Sequence, residues 1–361
     1  MPSDQSTWLI SIPQDGDSEG LFQEVHTKLA GQSRSAASGL SQLPIPSFKT
    51  GTLESLISLS EDLPKQDNFF TSTVAKTVDT LRNLLNNEPS KLIQHILVNE
   101  RTVDDYLLQG WRWNESRYGV QRSLREMLDV LIKEMTSIDN VMKSKLNTYN
   151  LAKGSLVQMQ RKRTNLVKEF ITKYERLTPM VVPRSAINIA SDDEFTLFSV
   201  AIFKRVHDDF LAKCRENKYI VRDFVYSEDL IEKQREELRT ADTTEKELWT
   251  ELLRLSRINF SESFQVLVHL KVLRLFVESV LRYGLPANYT GIFIKPEPKS
   301  TKRTLTTLQQ QFSYLSRRSN PGGKNSKSTV NAGEDFVGEY QTLLEQEYFD
   351  FVLFEVPWIV L

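Results

Sequence analysis

The stretch LRLFVESVLRYGLPANY, Leu273–Tyr289, decides how this chain folds. Leu273, Phe276, Val277, Val280 and Leu281 recur at helical spacing, and a charged side chain returns about once per turn at Lys271, Arg274, Glu278 and Arg282. Gly284 stands where a left-handed C-cap is wanted, and Pro286 follows where a helix cannot continue. The stretch is the end of a long helix with a buried face. It carries no chemistry of its own.

Upstream, the same helix is predicted to start at Ser227, with Glu228 and Asp229 facing the positive end of the dipole. The polar run RTADTTEKE, Arg239–Glu247, predicts a break or turn, after which Leu248, Leu252 and Leu255 restart the apolar stripe. A second long helix is predicted from Ser123 into the Arg161–Arg163 region. Leu124, Leu128, Leu131, Met135, Ile138 and Met142 alternate in steps of four and three, which is a heptad seam. The seam loosens through Leu146, Tyr149, Leu156 and Met159, and Gly154 weakens the helix by roughly 1 kcal/mol relative to Ala. At 1.5 Å per residue this helix is roughly 50 Å long. Two such helices with about 60 residues between them predict an antiparallel pair carrying something globular at its tip.

The tip is Leu166–Tyr226. Phe195–Phe203 (FTLFSVAIF) and Tyr219–Tyr226 (YIVRDFVY) read as strands around an amphipathic helix at Lys204–Lys218, a β–α–β arrangement. The other end uses both termini. Thr7–Ile12, Tyr289–Ile294 and Tyr348–Val356 read as strands; Leu21–Leu29, Leu53–Leu85 and Lys299–Leu315 read as helices; Gly31–Pro46 is turn-rich. Ser316–Gly333 is almost free of apolar residues and reads as a solvated loop. The expected fold is α+β and helix-rich, elongated, with small mixed sheets at both ends: a foot from residues 1–122 and 285–361, neck helices at 123–163 and 227–284, and a head at 164–226.

Composition narrows the function. The 361 residues suffice for two or three domains, and a formal net charge of −1 gives no global field toward nucleic acid or an anionic membrane. Cys214 is the single cysteine, so no internal disulfide forms. The N-terminus lacks the features of a signal peptide, and no uncharged apolar run reaches the length of a membrane span. A cytosolic protein that reaches membranes only through partners is expected, which makes the sequons at Asn114, Asn259 and Asn288 chance matches.

Signs of catalysis are missing. Gly322–Lys324 hints at a phosphate loop, but Asn325 follows the lysine where Ser or Thr must bind magnesium, and Arg318 replaces the first glycine. His26, His95, His207 and His269 are far apart and lack ligand spacing. Neither a metal nor a cofactor is implied. The basic clusters at Arg161–Arg163 and at Arg317–Arg318 with Lys324 and Lys327 lack the interleaved aromatics of a nucleic-acid surface, and read as solvated charge. Actin or lipid contact through them has no further support. One string does look like a partner surface: KYIVRDFVY mixes Tyr219, Phe224 and Tyr226 with Lys218, Arg222 and Asp223, a blend that interfaces favour. Alternate faces of one strand, one toward core and one toward solvent, explain the same blend.

The wording of several stretches resembles the C subunit of the vacuolar-type proton ATPase (V-ATPase). Besides Leu273–Tyr289 these are Glu216–Asp229 (ENKYIVRDFVYSED), Asn259–Phe264 (NFSESF), Trp8–Pro13 (WLISIP), Phe48–Asp67 (FKTGTLESLISLSEDLPKQD), Val181–Ser185 (VVPRS) and Leu344–Phe351 (LEQEYFDF), in family order. The resemblance implies a non-catalytic stator part of a rotary pump with foot, neck and head. The head would hold one peripheral stalk, an E–G heterodimer. The foot would hold a second stalk and the cytosolic domain of the membrane-embedded a subunit. The protein would sit on the cytosolic face of vacuolar and other endomembranes and leave when the pump disassembles reversibly. The resemblance also favours Lys218, Tyr219, Arg222, Phe224 and Tyr226 as stalk contacts. One departure stands out: only Lys162–Met180 fills an interval that the family fills with more, including a hydrophobic strand of the head. A lost strand would expose unpaired backbone on its neighbours. The competing class is an elongated cytosolic adaptor or actin-binding scaffold outside any pump.

Overall fold

The computed structural model describes residues 2, 3, 5–14, 16–31, 39–191, 196–221, 228–315 and 349–357; the side chains of 155–166, 168, 190, 228–238 and 241 are also outside the description. The chain divides into two compact units. Unit 1 is Met1–Met142 with Arg254–Leu361, and unit 2 is Lys143–Leu253. Two long helices, α6 (Leu124–Lys173) and α8 (Glu228–Tyr283), contribute to both.

Unit 1 is built on a four-stranded sheet. Its strands are β1 (Thr7–Pro13), β2 (Leu40–Leu43), β5 (Tyr289–Ile294) and β6 (Val352–Val356), in the order β2-β5-β1-β6. Ile10 lies opposite Ile292 on one side and Leu353 on the other. Every strand pairing is antiparallel, so the mixed sheet expected at this end is corrected. Strand composition carries no direction, and here the strands come from three distant parts of the chain. Helices α1 (Ser18–Ala30) and α9 (Thr301–Gln311) cover one face, packing Val25, Leu29, Leu305 and Leu308 on Trp8, Ile10, Ile12 and Ile292. Gly291 is required where β5 meets β2, because a Cβ there would lie 2.8 Å from the Leu43 carbonyl oxygen.

The remaining helices of unit 1 are α2 (Leu53–Leu84), α3 (Pro89–His95), α4 (Val103–Leu108) and α5 (Glu115–Tyr118). Thr52 caps α2 by accepting the Ser55 amide, and Pro64 sits inside this helix at the cost of one backbone bond. The last turns of α8 run deep. From Val266 to Val277 every residue except Arg274 is buried. Tyr283 then pins the helix to the sheet, donating to the Ser11 carbonyl at 2.9 Å and accepting from the Val352 amide at 2.9 Å. Gly284 takes φ +83°, the left-handed end that its position predicts.

The seam of α6 is buried at Leu124, Leu128, Leu131, Met135 and Met142. In unit 1 the Met142 sulfur accepts from Ser256 and Asn259 of α8, and Arg117 bridges Glu134 of α6 and Glu262 of α8 at 2.9 and 2.8 Å. In unit 2 Lys145 pairs with Glu251 at 2.7 Å, and the Tyr149 hydroxyl donates to Glu245 at 3.3 Å. Partner numbers fall as α6 numbers rise, so the helices are antiparallel. The charge pattern fits: residues 140–168 contain seven basic and no acidic side chains, while Glu228–Glu251 contains nine acidic ones.

Two expectations about these helices are corrected. The Arg239–Glu247 run does not break α8, because it holds no Gly or Pro and its threonines satisfy themselves locally. Thr243 and Thr244 donate to carbonyls a turn earlier, and Lys246 pairs with Asp242 at 2.6 Å. Helix α6 runs past Arg161–Arg163 to Lys173, and Gly154 does not stop it.

Beyond the long helices, the described residues of unit 2 form a 3₁₀ turn at Tyr174–Arg176, a hairpin of β3 (Ile187–Ser191) and β4 (Thr196–Ser199), a second 3₁₀ turn at Lys204–Val206 and helix α7 (His207–Glu216). Strands β3 and β4 are antiparallel, with a register irregularity between Asn188 and Ala190. Of the expected strand Tyr219–Tyr226, residues 222–226 lie outside the described residues and Tyr219–Val221 are not in a strand; β4 pairs with the unforeseen INIAS segment.

Candidate partner-binding surface

Unit 2 packs around a small core of Tyr174, Val181, Phe210 and Cys214, with Phe170, Leu177, Ile202 and Tyr219 against it. Burial raises the Cys214 thiol above its ordinary value, which suits a packing residue better than a reactive one. Helix α7 leads straight to the sequence-predicted surface. The Lys218 amide donates to the Arg215 carbonyl at 3.0 Å, the Tyr219 amide to the Cys214 carbonyl at 2.8 Å, and Lys218 takes φ +63°. This is a Schellman end, with Lys218 at the left-handed position where glycine is usual and Tyr219 folded back toward Cys214.

The cap separates the two residues. Lys218 is exposed. Tyr219 is half-buried, its ring edge-on to Phe170 at 5.1 Å between centroids, and burial raises its phenol above the usual value. Tyr219 is thus mainly a core residue, and Lys218 alone of the described pair is free to face a partner. Arg222, Phe224 and Tyr226 lie outside the described residues, as do the side chains of Arg161–Arg163 and the loop Ser316–Gly333.

A signal that sequence reading missed lies among the described residues of unit 2. Leu151, Met180, Ile187, Ile189, Phe203 and Ile220 are each more than half exposed. Unit 1, more than twice as long, exposes only Leu53, Ile93 and Leu285 to that extent among its described large apolar residues. Met180 and Phe203 are neighbours, the Phe203 amide donating to the Met180 carbonyl at 3.4 Å. Val182 and Val221 add further exposed apolar surface. Such concentrations mark surfaces that other molecules cover. Composition could not reveal this, because the same residues would serve equally in a core.

The titratable groups of unit 1 have structural tasks. His269 sits in a box of Trp111, Trp113 and Tyr118, with ring centroids 5.2, 4.9 and 4.7 Å away. Its Nε2 accepts the Asn114 amide at 3.2 Å and its Nδ1 faces the Gln265 carbonyl at 2.7 Å, so the ring is neutral with the proton on Nδ1. Burial, opposed by the Gln265 carbonyl, pushes its pKa down to about 4. Lys271 and Arg274 converge on the buried Asp67 of α2, at 2.7 and 2.5 Å. Burial pulls the Lys271 ammonium below its ordinary value while Asp67 opposes the shift. No group of His, Cys, Asp and Glu able to hold a metal occurs among the described residues. No helix among them is long and apolar enough to cross a membrane.

Among the described residues, fold and surface define a class: a helix-rich α+β protein with exposed apolar side chains concentrated in unit 2 and with buried Lys271 and Arg274 paired to Asp67. The family model of the V-ATPase C subunit matches residues 7–167 and 163–352. The C 1 subunits of the V-type proton ATPases of Rattus norvegicus and Bos taurus are each 31% identical over 382 residues, covering 97% of both chains, and the C 1-B subunit of Danio rerio is equally similar. The chain belongs to the V-ATPase C-subunit family. The aligned span of 382 residues exceeds the 361 of the chain, so the relatives carry residues that it lacks. The two family matches meet at residues 163–167, within α6 and ahead of the β3–β4 hairpin.

Proposed function

We propose that this chain is a non-catalytic stator subunit of the proton-pumping V-ATPase, tying peripheral stalks to the membrane sector from the cytosolic side. Family membership over nearly the whole length carries this reading. It also favours the pump over a free-standing adaptor or actin scaffold, since the family match spans both units. Unit 2 supplies the head contact to an E–G stalk heterodimer, through the exposed apolar side chains Met180, Phe203 and Ile220 and through exposed Lys218. Unit 1 supplies the foot contacts, to a second E–G stalk and to the cytosolic domain of the a subunit.

A rotary motor turns a shaft against static parts, and those parts must resist torque. Several moderate contacts joined by one chain act with high effective concentration, and loss of one weakens the rest. That logic suits assembly and reversible disassembly, and through them proton transport and organelle acidification. The test is size-exclusion chromatography of the purified chain with a recombinant E–G heterodimer. Co-elution at defined stoichiometry, weakened at least tenfold by Ile220→Asp, is expected. A folded chain that fails to co-elute would overturn the head assignment.

A further inference from the structure

We propose that the loop Met180–Ser185 (MVVPRS), with Phe203 against it, is a pre-shaped recognition element that selects an acidic protein surface with an apolar centre. The inference rests on the reading of unit 2 as the stalk contact, and names the chemistry that this contact demands of the stalk. The loop is pinned on both sides. Val181 and Ile202 form an antiparallel bridge, the Val182 amide donates to the Ala201 carbonyl at 3.1 Å, and the Phe203 amide donates to the Met180 carbonyl at 3.4 Å. The Ser185 hydroxyl donates to the Val182 carbonyl at 2.6 Å and accepts the Ala201 amide at 3.2 Å. Val181 and Ile202 pack in the small core of unit 2. Their chain neighbours Met180, Val182 and Phe203 are exposed, as alternation along a bridged pair requires.

The ends of the loop are strained. Met180 and Arg184 take φ +70° and +57°, the left-handed region that glycine adopts at least cost. Neither side chain is kept there for packing, because both are exposed. Strained residues persist where their surroundings over-determine them, and they cluster at ligand contacts. The surroundings here are the Ala201 and Ser185 bonds and the Glu175 carboxylate, which accepts the Arg184 amide at 2.8 Å. A large apolar side chain and a charged one are thus held outward from a fixed backbone.

Charge selects the occupant. Met180–Ser185 and Ala201–Val206 contain Arg184, Lys204 and Arg205 and no acidic residue. All three are exposed, as is Arg176. The acidic group that faces them, Glu175, is already engaged: the Arg184 amide and then the Tyr174 hydroxyl hold it below the usual carboxylate range. The next acidic residues in the chain, Asp208 and Asp209, stand in the first turn of α7, where they answer the helix dipole. An apolar centre of Met180, Val182 and Phe203 with a basic margin is complementary to an apolar strip flanked by Asp and Glu. Phe, Met and Arg are the residue types that protein interfaces enrich, and a formal net charge of −1 gives the whole chain no attraction to an anionic membrane.

Calorimetric titration of the full chain with recombinant E–G heterodimer, at low and high salt, tests this. Met180→Gly and Arg184→Gly are the informative variants, because glycine keeps the left-handed backbone and removes only the side chain. Each should weaken binding about tenfold. Arg184→Gly should also flatten the salt dependence, and neither should lower the midpoint of thermal unfolding. Wild-type binding that ignores both variants would overturn this inference and leave the stator reading standing. A loss of affinity matched by a loss of thermal stability would make the residues structural and overturn it too. So would vesicles of anionic phospholipid that retain the chain through these residues while E–G binding is unchanged in the variants. A folded wild-type chain that does not bind E–G at all would overturn the head assignment and this inference together.

Discussion

Helix α8 has two stretches that could belong to different proteins. From Val266 to Val277, in unit 1, only Arg274 escapes full burial, and that side chain is bonded to Asp67. From Asp242 to Glu251, in unit 2, no residue is buried, and the links to α6 are exposed polar contacts such as Lys145–Glu251. The first stretch is held by close packing and by charges locked in pairs; the second is held by surface electrostatics that salt weakens. The difference teaches a division of labour along one helix. Unit 1 keeps its apolar residues inside, whereas unit 2 leaves many of its own on the surface.

The largest effect should come from Asp67→Ala. It strands Lys271 and Arg274 without their buried counter-charge, and should cost unit 1 about 3–5 kcal/mol. Native-state hydrogen exchange reads the two units separately, and unit 2 should be unchanged. Equal loss in both would break the comparison.

Acid should sharpen it next. The folded pKa of His269, about 4, lies below the usual 6.5, so the unfolded state takes up a proton first as pH falls. Stability of unit 1 should therefore drop by about 3 kcal/mol between pH 6.5 and 4 from this group alone. Urea titrations across that range should show a flatter profile for His269→Gln, at a lower neutral-pH stability.

A smaller, opposite effect is expected in unit 2. Lys218→Gly removes a side chain from a left-handed position and should stabilise the end of α7 by about 0.5–1 kcal/mol, visible as slower amide exchange there. If the variant also loses stalk affinity, the lysine charge is a contact; unchanged affinity would exclude that charge from recognition. Smallest of all, Glu251→Ala should cost less than about 1 kcal/mol, because its pair with Lys145 is about half exposed.

Much of this molecule was legible in its residues. Gly284 and Pro286 marked the end of α8, the apolar composition of Thr7–Ile12 marked a strand, and the heptad from Leu124 to Met142 marked the seam. What failed depended on distance. Asp67 meets Lys271 and Arg274 across some two hundred residues, and no local pattern announces such a meeting. Strand β2 is four residues inside a turn-rich stretch, and its pairing with β5 is what makes it a strand. Of YIVRDFVY, the cap of α7 claims Tyr219, so local turn geometry overrides strand propensity at that residue. Of the candidate contact residues, Lys218 is exposed, Tyr219 is half-buried, and Arg222, Phe224 and Tyr226 lie outside the described residues. The exposed apolar side chains of unit 2, such as Met180 and Phe203, became visible only once the core was drawn.

Unit 2 should meet its partner through the apolar residues it leaves outside. Hydrogen exchange of the full chain, free and with E–G heterodimer, tests this most directly. Protection is expected at residues 180–182, 202–203 and 218–221. Binding that protects unit 1 alone, with those segments exchanging as in the free chain, would contradict it.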